Sequence, residues 1–189
     1  MQNLSLDSEM TLDEVDSNVK YAGFWIRVGA SLLDLLAYSP VLLLYFYNLM
    51  AFKSLGLQLL VFLFLFLYKP FMEYRYGATL GKMAVGIKVI GIDYRPISLQ
   101  QATLRYVPWM FSQAVSVYVI VELFRHHTFP YSTTFAEIAY LQNKVTPTFW
   151  NSIASLINLG ACITVAFTTE KQGLHDLLAK TFCVYKKKG

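Results

Sequence analysis

Four apolar stretches, at about 23–47, 55–72, 106–124 and 148–167, dominate the chain and are separated by polar connections. Each approaches the roughly 20 residues that a helix needs to cross a bilayer, which predicts four transmembrane helices. The first runs YAGFWIRVGASLLDLLAYSPVLLLYFY from Tyr21 to Tyr47 and carries Arg27 near its start and Asp34 near its middle. At 3.6 residues per turn, Gly23, Arg27, Ser31, Asp34, Tyr38 and Tyr45 fall in a narrow arc, while the other faces are Leu, Ile, Val, Phe and Ala. A lone carboxylate at mid-membrane costs about 3 kcal/mol on insertion scales. This stripe is therefore expected to face protein.

The second stretch has Gln58 as its only strongly polar residue before Lys69 and is expected nearest lipid. The third places Arg105, Trp109, Ser112 and Ser116 on one face. The fourth places Asn151, Ser155, Asn158 and Cys162 on one arc, beside Ala154, Gly160 and Ala161. Small, hydroxyl and amide residues let helices approach closely in lipid, so spans one, three and four are expected to share a polar seam. Thr146 and Pro147 read as the cap and first turn of span four. Ser98 and Gln101 form a capping box that opens a helix near Leu99, passing Arg105 and bending at Pro108.

In the connection 73–105, GATLGKMAVGIKVIGID passes from small residues to alternation at Ile87, Val89 and Gly91, and TFCVYK at 181–186 has the same β character. Antiparallel pairing of these runs at the membrane surface is expected. Near the end, Thr169 and Gln172 read as another capping box. Leu174, Leu177 and Leu178 share a face that Asp176 avoids, which predicts a short interfacial helix. Residues 1–20 are acidic and poor in apolar area, which predicts a mobile tail; they lack the basic region and apolar core of a signal peptide. Residues 125–147 read as an outer loop in which His126 and His127 have no third metal ligand.

Composition removes the soluble classes. Of 189 residues, 56% are hydrophobic and 15% charged, where soluble domains carry about a quarter charged residues. The net charge of +4 is dispersed between apolar spans, so the lipid bilayer and not nucleic acid is the expected partner. Only Lys53, Arg125 and Lys144 fall in the first and third connections, and all other Lys and Arg lie on the opposite side or at span ends. The positive-inside rule then places both termini in the cytoplasm. The expected fold is an all-α membrane protein with four transmembrane helices, cytoplasmic termini, an interfacial C-terminal helix and a short two-stranded β pairing on the cytoplasmic side. Residues 21–189 form its one membrane domain. Cys162 and Cys183 read as free thiols or small buried residues.

Three blocks in order, Arg27-x6-Asp34, GATLGKMAVGIKV and KQGLHDLLAKT, resemble the RDD family of small membrane proteins. The resemblance runs from Tyr21 to Tyr185 and places the family's arginine and two aspartates on Arg27, Asp34 and Asp176. It implies no settled activity. Transport is the role proposed for the family, including sodium–proton exchange for some members.

Each candidate residue has a functional and a plain reading. Asp34 is a proton or cation site, or else a structural carboxylate held by Arg27 or by Asn151 and Asn158. Arg27 lies about 10 Å along the helix from Asp34, so Asp176 is its better partner; its plain role is a snorkelling anchor. Lys82, with Gly77, Gly81 and Gly86, suits head-group contact, since the spacing is not a P-loop. His175 beside Asp176 reads as an interfacial polar edge. Ser31, Tyr38 and Arg105 support the seam. The expected function is transport of a small ion or solute, coupled to protons or sodium, with Arg27, Asp34 and Asp176 as the central residues. The competing expectation is an accessory or scaffold subunit in which those three are structural. Asp34 is the only acid expected deep in a span, which argues against an intramembrane aspartyl enzyme needing two. No cofactor or metal is expected. A homo-oligomer or a membrane partner in a bacterial inner (plasma) membrane is.

Overall fold

The structure is a computed structural model that describes residues 19–186. The acidic tail expected over residues 1–20 lies, apart from Val19 and Lys20, outside the described residues.

Span one is two helices. α1 (Phe24–Ala37) ends at Tyr38, and α2 (Ser39–Tyr47) departs at 53°. Pro40 stands in the first turn of α2, where a missing N–H does no harm, and Ser39 Oγ donates to the Leu36 carbonyl at 2.8 Å. A π-helical turn, Asn48–Phe52, extends α2 to Lys53, whose φ of 49° reverses the chain. Asn48, the first residue of this turn, is fully buried. Its side chain donates to the Ser54 carbonyl at 2.9 Å and to Gln58 Oε1, and accepts the Ser54 N–H at 3.1 Å.

α3 (Leu55–Tyr76) outruns the expected 55–72 and stops at Gly77, a left-handed cap at φ 68° whose N–H donates to the Glu73 carbonyl. α4 (Leu80–Ala84) follows with Thr79 as its cap. β1 (Ile87–Gly91) pairs antiparallel with β2 (Thr181–Tyr185), from Ile87↔Tyr185 to Gly91↔Thr181, as the alternation implied. Tyr21 adds a single bridge to Val184. α5 (Leu99–Arg125) opens on the Ser98/Gln101 capping box with both bonds made and continues through Pro108.

The segment expected as an outer loop contains a helix. α6 (Phe135–Val145) starts at Thr134, whose hydroxyl accepts the Glu137 N–H at 3.3 Å. Thr146 therefore belongs to the end of α6, donating to the Gln142 carbonyl at 2.6 Å, and does not cap α7 (Thr148–Phe167). The Thr169/Gln172 box is also absent. Thr168 accepts the Gln172 N–H at 2.6 Å, and α8 (Leu174–Leu178) is opened by the Asp176 carboxylate accepting the Gly173 N–H at 3.0 Å.

α3, α5 and the Thr148–Val165 part of α7 are long and apolar enough to cross a membrane, and the bent α1–α2 pair makes a fourth candidate. Their outward faces are Leu32, Leu36 and Leu43, then Leu60, Leu63 and Phe64, then Leu156 and Leu159, all exposed. Buried contacts concentrate at two ends of α5, some 30 Å apart for Ala102 and Leu123. At one end α6 covers Leu49, Leu123, Phe129, Ile138 and Leu141. At the other, Ala22, Ala30, Ile87 and Cys183 pack beneath the sheet.

Two packing expectations are corrected. α3 is not merely the lipid-side span, because it packs along α5 and turns Gln58, Val61 and Glu73 inward. α7 buries Ala154, Ala161 and Val165, leaving Asn151, Ser155 and Cys162 exposed. Small side chains let the backbones approach, so they and not the amides take the interface. Only Asn158 reaches across, donating to Ser112 Oγ at 2.7 Å.

Candidate functional site

Asp34 is 2% exposed and holds α4 against α1. Its carboxylate accepts the Thr79 hydroxyl at 2.6 Å, the Gly81 N–H at 2.7 Å and the Tyr68 hydroxyl at 3.0 Å. Tyr68 in turn accepts the Leu80 N–H at 3.2 Å, and Thr79 accepts the Lys82 N–H at 3.4 Å. The free amides that open α4 are thus satisfied by three side chains, and the carboxylate faces the positive end of a short helix. Neither Arg27, Asn151 nor Asn158 holds Asp34, as the sequence had suggested. Gly81 makes the approach possible: a Cβ there would lie 1.9 Å from the Ala30 carbonyl oxygen.

Arg27 instead turns to the C-terminal segment. It pairs with Asp176 and donates to the Ala22 carbonyl at 3.0 Å and the Lys171 carbonyl at 2.7 Å. Asp176 also pairs with Arg105, which donates through Nε to Glu73 at 2.8 Å and bonds the Thr181 hydroxyl. Glu73 is shared with Lys82. The result is one chain of alternating charge, Arg27–Asp176–Arg105–Glu73–Lys82, joining α1, α8, α5, α3 and α4. Lys82 is therefore an ion-pair partner here and not a free head-group ligand. Burial alone raises the Asp176 carboxyl; Arg105 and Arg27 outweigh it and hold the group well below the usual carboxylate range.

His175 is no interfacial edge. Its side chain is 13% exposed, its ring lies 4.9 Å from that of Trp109, and Nδ1 is buried with no hydrogen-bond partner. Burial pushes its pKa down to about 3 despite the neighbouring Asp176, so the ring is neutral.

A cavity of about 410 Å³ lies among α1, α3, α5 and His175. It is lined by Arg27, Ser31, Asp34, Tyr38, Lys69, Glu73, Lys82, Arg105 and His175, with Phe24, Leu32, Leu35, Trp109 and Val165 among its apolar walls. Ser31, Tyr38 and Arg105, expected along a polar seam, all line this cavity. Asn151 instead lines a separate pocket of about 250 Å³ beside Tyr45 and Gln142. Lys69, Glu73, Tyr68 and Thr79 were not foreseen. The signal for the first two was an i, i+4 lysine–glutamate pair at the end of span two, and Glu73 is a second buried acid beside Asp34. The described residues contain no group of three or more His, Cys, Asp or Glu able to hold a metal ion.

The sequence pattern of the RDD family matches residues 21–180. YckC of Bacillus subtilis (strain 168), described as an uncharacterized protein, is 32% identical over 175 residues, covering 90% of this chain and 88% of its own. No solved structure matches.

Proposed function

Because the chain belongs to the RDD family, we propose that it is a non-enzymatic membrane transport protein whose solute occupies the polar cavity, with Asp34 as part of the frame. The observation that carries this reading is the cavity of about 410 Å³ where the four candidate spans and α8 converge. Its volume suits small-molecule sites, about 300–1,000 Å³. Asp34 supports the frame and not the passage, because all three of its interactions hold α4 in place.

The proposed orientation has both termini in the cytoplasm of a bacterial inner membrane. Tyr21, β1 and β2 meet at one end of the bundle, and the basic residues of the middle connection and C-terminal run belong to that end. Four spans are few for a carrier, so a homo-oligomer is part of the proposal, as is coupling to a proton or sodium gradient.

The test is reconstitution in liposomes with proton- and sodium-sensitive dyes under imposed gradients. Flux that survives Asp34→Asn and is lost in Lys69→Met supports the cavity. Flux abolished by Asp34→Asn in folded protein returns the passage to Asp34. A second reading, an accessory subunit, is favoured by the complete engagement of Arg27, Asp34 and Asp176 within the chain. Absence of flux together with a stably co-purifying membrane protein supports that reading.

A further inference from the structure

We propose that the cavity is a site for an acidic amphiphile, a ligand with a phosphate or carboxylate head and an apolar tail, and that Lys69 is the cation that pairs with its head. This rests on the cavity being the functional site and names its ligand class.

The argument starts from charge. Four basic side chains line the cavity: Arg27, Lys69, Lys82 and Arg105. Three of them are committed to Asp176 or Glu73. Asp34 is no counter-ion for the fourth, since its oxygens are taken by Tyr68, Thr79 and Gly81. Glu73 stands one helical turn from Lys69, yet Arg105 and Lys82 occupy both its oxygens. Lys69 is left, among the described residues, with no carboxylate and no hydrogen-bond partner; its ammonium lies 5.9 Å from the centre of the Trp109 ring.

Lys69 is half-buried among largely apolar neighbours, where an ammonium without a counter-ion is costly, and a bound anion would relieve that cost. Most of the remaining wall, including Phe24, Leu32, Leu35 and Trp109, is apolar. A bare anion would leave that surface unused, and an uncharged hydrocarbon would leave Lys69 unpaired. A head and tail joined in one molecule satisfies both.

The experiment uses the full chain in phosphatidylcholine nanodiscs with Trp25→Phe and Trp150→Phe, which leaves Trp109 as the remaining tryptophan of three. Its emission is titrated with decyl phosphate, decanol and inorganic phosphate. Saturable binding of decyl phosphate is expected, at least tenfold tighter than that of decanol or inorganic phosphate. Lys69→Met should weaken it at least tenfold, and Lys69→Arg should stay within about threefold of wild type. Equal binding of decanol reduces the cavity to an apolar pocket and overturns the proposal. Equal binding of inorganic phosphate, or wild-type affinity in Lys69→Met, overturns it as well. Should Lys69→Met not fold, the ligand comparison on the wild-type chain decides alone.

Replacing a fifth of the lipid by phosphatidylglycerol distinguishes the source. Competition with decyl phosphate supports a lipid-derived ligand, and unchanged affinity supports a water-borne one. Binding without flux in liposomes retains this inference and removes transport. Flux with no Lys69-dependent binding does the reverse.

Discussion

Gly81→Ala is the most direct test of the way Asp34 and α4 organise this domain. A Cβ at position 81 would meet the Ala30 carbonyl oxygen at 1.9 Å, the Asp34 amide nitrogen at 2.7 Å and the Ala30 carbonyl carbon at 2.9 Å. All three are main-chain atoms of α1, so no rotamer change relieves the overlap. Forced overpacking costs about 1–3 kcal/mol. Pushing α4 away also lengthens the charge-assisted bond from Gly81 to Asp34, a contact of a kind that contributes about 1.5–3 kcal/mol. Alanine's helix preference over glycine returns about 1 kcal/mol. The net expectation is a loss of about 1.5–5 kcal/mol at this end of the bundle.

Cys183 reports on that end, being fully buried with Ala22, Ala30 and Ile87. With Cys162→Ser it becomes the remaining thiol, since the chain has two cysteines. At about 1.4 kcal/mol per tenfold, maleimide labelling of Cys183 should accelerate at least about tenfold in Gly81→Ala. Gly29→Ala, on α1 with nothing within 4 Å of its Cβ, should label at the wild-type rate or more slowly. Labelling of Gly81→Ala at or below the wild-type rate would refute the close docking of α4 on α1.

Three further outcomes follow from the same geometry. Asp34→Ala strands the Tyr68 and Thr79 hydroxyls and the Gly81 N–H, at about 1–3 kcal/mol for each buried group, so Cys183 labelling should rise more than about 100-fold. Asp34→Asn retains one acceptor and lets the Thr79 hydroxyl reverse its role, so its rise should stay below about tenfold; equal effects of the two would contradict the staple. Asp176→Asn leaves Arg27 and Arg105 facing an uncharged amide, and breaking such a buried pair costs about 3–5 kcal/mol; melting of the purified variant at the wild-type temperature would count against the charge chain. Stability should fall as pH drops below about 6.5, because unfolded His175 takes a proton there while the folded ring, at about 3, does not. Asp176, whose folded value is depressed, gives stability above the unfolded carboxylate range near 3.9 that is lost only on further acidification. Between pH 5 and 7.5 His175→Gln should therefore flatten the thermal-stability profile, and an unchanged slope would remove His175 as its source.

Much of the architecture was legible in the residues because local rules act over a few positions. The apolar blocks marked the spans, the Ser98/Gln101 box opened α5 where expected, and alternation around Ile87 and Thr181 marked two strands that do pair. Arg27 was matched to Asp176 because both family motifs fall at the same end of the chain's course through the membrane. Thr134 and Glu137 carry an equally plain capping box for α6, and Pro40 sits at the break between α1 and α2, but reading 125–147 as a loop and 23–47 as one span passed over both.

What the sequence by itself determined, then, was which segments are long and apolar enough to cross a membrane, where several helices begin, and that Arg27, Asp34 and Asp176 need polar company. Only the tertiary structure decided who supplies it. The partners of Asp34 are a tyrosine 34 residues away and a hydroxyl and an amide 45 and 47 residues away. Glu73 is bridged to Arg105 across 32 residues, and among the described residues Lys69 is left unpaired because Asp34 and Glu73 are taken. Helical periodicity says which side a residue faces, but not which neighbour has used the last free carboxylate oxygen. That choice belongs to the packed bundle, where Gly81 lets α4 touch α1 and the charges sort themselves by proximity.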